Sequence, residues 1–209
     1  MIKRLFKENI GFIAFLFLLF ACRSTIADWY HVPSGSMLPT IIEGDRVWVD
    51  KMAYRLDIPF TDIEIIKTGE PQRGDIVTFE SQAAEIRLIK RVVGIPGDRV
   101  SMSNNRLFLN GKEIEYQLEE NQVTELLDNA PHAVQWTDAG SPLDSFDTVI
   151  VPEGHYLVLG DNRNHSADSR VYGFVPLSEL SGRATHVIAS FDLENYYKPR
   201  SDRWLHNLM

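Results

Sequence analysis

Cysteine is nearly missing from this chain of 209 residues: Cys22 is the only one. A lone cysteine excludes an internal disulfide, a cysteine zinc site and an iron–sulfur cluster. Positive charge is scarce too. Lysine and arginine number 21 against 29 aspartates and glutamates, a formal net charge of −8. Residues 1–28 hold Lys3, Arg4, Lys7 and Arg23 against Glu8 and Asp28, a balance of +2 that leaves −10 on the remainder. A body that acidic repels a phosphate backbone, so no nucleic-acid partner is expected. No internal repeat, low-complexity stretch or long amphipathic helix follows residue 28, which speaks against a repeat array or a helical bundle. What is present is ordinary globular material, 44% hydrophobic and 24% charged, which excludes wholesale disorder.

The one long apolar run lies at the start. Ile10 to Cys22 is uncharged and almost wholly apolar. Thirteen helical residues rise about 20 Å, short of a hydrocarbon core of about 30 Å, a length that fits the apolar stretch of a secretory signal. Continued through Arg23 to Ala27, the run reaches eighteen residues with one charge near its end. An arginine there can snorkel, and Trp29 and Tyr30 stand where an interfacial aromatic anchor would. An uncleaved anchor, a cleaved signal and a lipoprotein signal (Leu19-Phe20-Ala21-Cys22, with Phe20 a bulky misfit) all remain open on this segment. In each, the basic residues before the run place the body on the far side of the membrane.

The body reads as β-rich. Arg46–Asp50, Asp75–Phe79, Glu85–Val93, His155–Leu159 and His186–Phe191 combine β-branched and aromatic residues between turn signals. Arg106–Tyr116 reads as a hairpin with Asn110-Gly111 at a turn that needs positive φ. Pro176–Ser181 reads as one short helical turn with proline first. From about Ser103 to Val151 the chain is more polar, holds Glu119 and Glu120, and shows no strong strand pattern after the hairpin. It reads as an insert or cap.

Three segments can carry chemistry. Between His31 and Thr40, Ser34-Gly35-Ser36 lies between Pro33 and Pro39, a tight turn where glycine lets backbone approach a ligand and hydroxyls point outward. In the strand around Lys90, alternation puts Ile86, Leu88, Lys90 and Val92 on one face, with Arg87 and Arg91 on the other. A lysine on an apolar face loses pKa by desolvation and can serve as a general base. Gly160 to Arg170 is dense in side chains that bond their own backbone, an ordered polar loop in which Asp161, Asp168, Arg163 and Arg170 could pair. It lacks the glutamate that completes an EF-hand, so no calcium site is expected.

Taken together these segments resemble the type I signal peptidases, membrane-bound serine proteases that remove signal peptides from exported proteins. Residues 33–40 (Pro-Ser-Gly-Ser-Met-Leu-Pro-Thr) are similar to the nucleophile box, and 73–79 (Arg-Gly-Asp-Ile-Val-Thr-Phe) to a structural box. Residues 88–98 are similar to the lysine box, and 160–170 with 172–176 to the final box. The order is the family's, from about residue 29 to 191. The resemblance implies Ser36 as nucleophile and Lys90 as general base. It implies Ser166 as the hydroxyl that orients the lysine, and Ser34 as a partner of the Ser36 N–H in an oxyanion hole. Asp168, Arg170 and Arg91 would support the site by ion pairing. Val32, Met37, Ile41 and Ile89 would line pockets for small residues before the cut, often Ala-x-Ala. Asn164 and His165 stand where the family usually has an acid and an asparagine.

The implied fold is mainly β: an antiparallel catalytic β domain (29–102 and 152–209) with a small β-rich insert or cap (103–151), preceded by a cytoplasmic N-terminus and one transmembrane helix (1–28). The implied partners are exported preproteins and the lipid bilayer, with no metal, cofactor or oligomer expected. The implied place is the bacterial cytoplasmic membrane, single-pass, with the catalytic domain outside. Rival readings are a conjugation-type maturation protease with the same dyad, a Ser-His hydrolase using His165, and a non-catalytic membrane-tethered β domain.

Overall fold

The computed structural model describes residues 9–61, 63–120, 122–128, 130–136 and 140–208. The basic start expected at Lys3, Arg4 and Lys7 lies outside them. The described chain opens with α1 (Ile10–Thr25), 16 residues with most of its large apolar side chains exposed. At 1.5 Å per residue it is about 24 Å long. Among the described residues no helix is long and apolar enough to cross a membrane. The helix stops at Thr25 and the backbone turns into a strand at Ala27, so the run does not continue through Ala27 as helix. Arg23 does not reach outward alone; its Nε bonds Asp28 at 2.8 Å and its guanidinium stacks 4.7 Å from the Trp29 ring.

Strands follow. β1 (Ala27–His31) and β2 (Asp45–Asp50) lead to a separate hairpin, β3 (Arg55–Asp57) and β4 (Glu64–Lys67), then to β5 (Ile76–Ser81) and β6 (Ile86–Gly94). Next come β7 (Arg99–Ser103), β8 (Arg106–Leu109), β9 (Lys112–Glu113), β10 (Glu115–Glu119), β11 (Gln122–Leu127), β12 (Ala130–Val134) and β13 (Phe146–Ile150). The chain ends through β14 (His155–Leu159), the four-residue α2 (Ser169–Tyr172), β15 (Val175–Pro176), β16 (Leu180–Asp192), β17 (Lys198–Pro199) and β18 (His206–Asn207).

The main sheet runs β1-β2-β16-β5-β6-β14-β15, with β17 and β18 added on β16, and its ladders are antiparallel. The mainly β, antiparallel expectation therefore holds. β2 shows why: Val47 and Val49 face inward while Arg46 and Trp48 face out, the period of a half-buried strand. Asn110 and Gly111 sit at φ 53° and 82° between β8 and β9, the double positive φ of a two-residue hairpin turn. Pro176 directly precedes a 3-10 turn over Leu177–Glu179.

Of two smaller sheets, β13-β7-β8-β9 extends the expected hairpin, and β10-β11-β12 comes from the segment after it that showed little strand pattern. β10 is mostly exposed and carries Glu115, Gln117 and Glu119, residues poor in β propensity. Its pairing with β11, Tyr116 opposite Glu125, makes it a strand.

Candidate active site

Val32 and Pro33 lead from β1 into a 3-10 turn over Gly35–Met37. Met37 points into the core and its carbonyl accepts the Ile41 N–H at 2.9 Å, which fixes the turn from beneath. Ser36 is left facing a cleft of about 490 Å³ whose lining includes Ser34, Lys90, Asn162, His165 and Tyr172. Ser34, with extended backbone (φ −142°, ψ 155°), makes no side-chain cap to the turn, so its hydroxyl is not spent there.

Lys90 comes from β6, 54 positions along the chain, and its Nζ donates to Ser36 Oγ at 2.8 Å. A second bond runs to the Ile89 carbonyl at 2.9 Å. Lys90 is 2% exposed. Burial disfavours its charged form and brings its pKa down to about 8, against the opposing pull of Asp168 and Asp161. Both carboxylates are already engaged. Asp161 takes a bidentate pair from Arg91 (2.9 and 2.8 Å) and Asp168 takes Arg170 (2.8 and 2.6 Å). For Asp161, burial pushes the carboxyl up, but Arg91, His132 and the Thr40 hydroxyl together hold the pKa below the usual value. A serine hydroxyl beside a lysine that is neutral in a large fraction of molecules near pH 8 can lose its proton and attack a carbonyl.

The loop from Gly160 holds the serine turn in place. The Asn162 N–H donates to the Ser36 carbonyl (3.1 Å) and its side-chain amide to the Gly35 carbonyl (3.0 Å). Gly160 has no room for a side chain: a Cβ there would lie 2.3 Å from Ser166 Oγ and 2.4 Å from the Ser36 carbonyl oxygen. Gly160→Ala is therefore expected to push the Ser36 turn and Ser166 apart. A displacement of about 1 Å in a reacting group costs on the order of 10²-fold in rate, to be read as kcat/KM on a precursor.

A family model described as signal peptidase, peptidase S26, matches residues 4–189. The chain is 33% identical to signal peptidase I of Buchnera aphidicola subsp. Schizaphis graminum, over 91% of this chain and 77% of that protein.

The chain belongs to the signal peptidase family.

Signal peptidase I of Pseudomonas aeruginosa is 35% identical over 87% of this chain and 71% of that one. A crystal structure of a signal peptidase I from Enterococcus faecalis V583 is 30% identical, covering 55% of this chain and 96% of that chain at a TM-score of 0.37. This family member is a serine endopeptidase of the signal peptidase I kind, which removes the reading as a non-catalytic β domain.

Within this signal peptidase, the predicted residues divide. Ser34, Ser36 and Lys90 meet in one cleft. Asp168 and Arg170 pair with each other, and Arg91 pairs with Asp161 rather than standing on a solvent face; it is 2% exposed. Ser166 is buried beside the turn, but its hydroxyl has no hydrogen-bond partner among the described residues, and Lys90 bonds Ser36 and Ile89 instead. Ile86, expected inward with Lys90, is 56% exposed, because β6 is covered only toward its C-terminal half. Met37 and Ile41, expected to line the pockets, are both fully buried in the core with Val47, Val49 and Ile76. Val32 and Ile89 lie along a groove of about 240 Å³, with Tyr30, Pro33, Thr78 and Leu88. His165 is exposed at the cleft and does not bond Ser36, whose hydroxyl is taken by Lys90.

Sequence reasoning paired Arg163 within its own loop. The structure gives it to Glu125, on β11, through two bonds of 2.8 Å. Tyr116 adds a 2.7 Å bond to the same carboxylate, and His132 Nε2 lies 3.3 Å away. Burial alone would raise the Glu125 pKa; Arg163 and His132 hold it well below the carboxylate range. Gln135, just past β12, continues this support: its N–H bonds the Asp161 carbonyl, and its carbonyl accepts the Arg163 N–H, both at 2.9 Å. Glu125→Ala leaves a guanidinium buried without its partner, and the expected loss of unfolding free energy is about 3–5 kcal/mol by urea titration. No local signal in the sequence marks Glu125, since its partner lies 38 positions away.

Proposed function

We propose that this chain cleaves N-terminal signal peptides from exported preproteins by a Ser36–Lys90 dyad. The observation that carries the reading is the 2.8 Å contact between Lys90 Nζ and Ser36 Oγ. Neutral Lys90, still donating to the Ile89 carbonyl, accepts the Ser36 proton as Oγ attacks the scissile carbonyl. The Ser36 N–H and the Ser34 hydroxyl hold the oxyanion, and losing one such donor costs on the order of 10²–10³ in rate. The proton then passes from Lys90 to the departing amine. Water, deprotonated by the same lysine, hydrolyses the acyl-enzyme, a variant of triad logic.

The substrate strand has a place to lie. β5 covers one edge of β6 from Ile86 to Arg91, while β14 pairs with β6 only from Arg91 onward. The other edge of Ile86–Lys90 is thus open among the described strands, beside Ser36, and an extended peptide can add to it. The shallow groove at Val32 and Ile89 supports a preference for small residues of the Ala-x-Ala kind.

Residues 103–151 act as a cap that braces the 160–170 loop through Glu125 and Gln135. The exposed apolar α1, with Trp29 and Trp48 opposite each other on β1 and β2 and both exposed, supports attachment to the membrane, the body lying on its outer side. An acylating β-lactam-like inhibitor tests the chemistry: mass spectrometry is expected to find the adduct on Ser36, and an adduct on another residue would sink the dyad. Ser166→Ala removes a hydroxyl packed beside the turn. The expected drop in kcat/KM is about tenfold or more; an unchanged value would remove its orienting role.

A further inference from the structure

The hairpin of β3 and β4 has no part in the cleft, and it belongs to neither the main sheet nor the smaller ones. Ile58, Phe60, Ile63, Ile65 and Ile66 are all exposed, at 42–60%. Five large apolar side chains in nine residues form a patch that water does not favour. An isolated two-stranded ribbon is only marginally stable in water. Arg55 at its base bonds the Ser178 carbonyl at 3.0 Å, and its tip touches α1. The Phe60 ring lies 5.8 Å from the Phe17 ring, and the Phe60 N–H bonds Ser24 Oγ at 2.9 Å. At its root, the Lys51 N–H bonds the Ile26 carbonyl at 3.0 Å, and Lys51 Nζ reaches the Ser24 carbonyl.

We propose that the hairpin Arg55–Lys67 is a second membrane-contact element, seated in the same lipid surface as α1. The inference rests on the reading of α1 as membrane-embedded. Phe17 stands eight residues before the end of α1, about 12 Å along its axis. A helix buried in lipid to its end therefore carries the tip of the hairpin down with it. Lys51 and Arg55 line a polar pocket of about 180 Å³ where the hairpin meets the end of α1. Asp57 lines the same pocket and pairs with Arg55 at 3.0 Å, so the cation set at the level of anionic headgroups is Lys51. Glu64, exposed on β4, keeps the seat shallow, at the interface. A single helix leaves the body free to turn about the helix axis. A second contact beside it fixes the orientation, and so fixes where the open edge of β6 meets a precursor emerging from the same bilayer.

The test uses the full chain in vesicles of phosphatidylethanolamine and phosphatidylglycerol, with Cys22→Ser as background and one new cysteine at a time. Phe17→Cys reports on the helix, Phe60→Cys on the hairpin and Ser201→Cys on the distant tail, each carrying an environment-sensitive fluorophore. Nitroxide lipids are expected to quench the labels at 17 and 60 and to spare 201. Quenching at 17 without quenching at 60 overturns the proposal and leaves the anchor standing. No quenching at either overturns both. A label at 60 shielded without lipid, in a concentration-dependent dimer, assigns the patch to a second copy and also overturns it. In parallel, Ile58→Ser with Phe60→Ser and Ile65→Ser is expected to preserve cleavage of a short soluble peptide. The same variant should lower cleavage of a vesicle-inserted precursor about tenfold, through loss of orientation. Equal rates on both substrates, or equal losses, would count against the hairpin.

Discussion

Ser36→Ala is expected to remove essentially all cleavage of a signal-bearing precursor, a fall in kcat of about 10⁴-fold or more. The alanine keeps the turn, because Gly35 and Ser36 are held by their backbone carbonyls, through Asn162, and not by the serine side chain. The variant should therefore fold as the parent does and still bind precursor at the open edge of β6. Any remaining rate reflects binding and oxyanion stabilisation alone, which in serine proteases amounts to about 10³–10⁴ over water. Precursor turnover measured by gel shift, beside circular dichroism, separates loss of the nucleophile from loss of the fold. Turnover near the parental rate would assign the nucleophile elsewhere.

Lys90→Met should be comparably severe, because it removes the base that bonds Ser36 while keeping an unbranched chain in a site that is 2% exposed. Lys90→Arg is the sharper variant. It keeps a cation but one that stays protonated, so it is expected to be as inactive as the methionine. The active form is the neutral lysine, so kcat/KM of the parent should rise with pH through about 8 and then level off. An unburied lysine would place that rise near its ordinary 10.5. At pH 7 roughly a tenth of molecules would hold the base form. The same shift carries a stability consequence. The folded pKa lies below the unfolded one, so between about 8 and 10.5 the unfolded chain binds more protons, and stability rises with pH across that window. A flat pH profile over 7–9 would remove Lys90 as the base.

Much of the fold is written in short windows. β2, β6 and β14 begin and end within a residue or two of the turn residues that bound them, because alternation and β-branching act locally. The Asn110-Gly111 turn is as local as a feature can be. β10 was not legible, because Glu and Gln say little about strands and its pairing partner β11 supplies the reason for its form. A box motif names positions, not directions, so the burial of Met37 and Ile41 was not legible in it. The 3-10 turn is what sends Met37 inward.

By itself the sequence determined the β-rich character, the order of the four boxes and the residue types of the proposed dyad. These depend on backbone preference and on chemistry carried by single side chains. Tertiary structure alone decided that Lys90 is dry and within 2.8 Å of Ser36, that Arg91 belongs to Asp161, that Arg163 belongs to Glu125, and that α1 ends at Thr25. Desolvation and charge pairing depend on which atoms crowd a site. Here those atoms arrive from segments 38 to 70 positions apart, a separation over which no local pattern carries information.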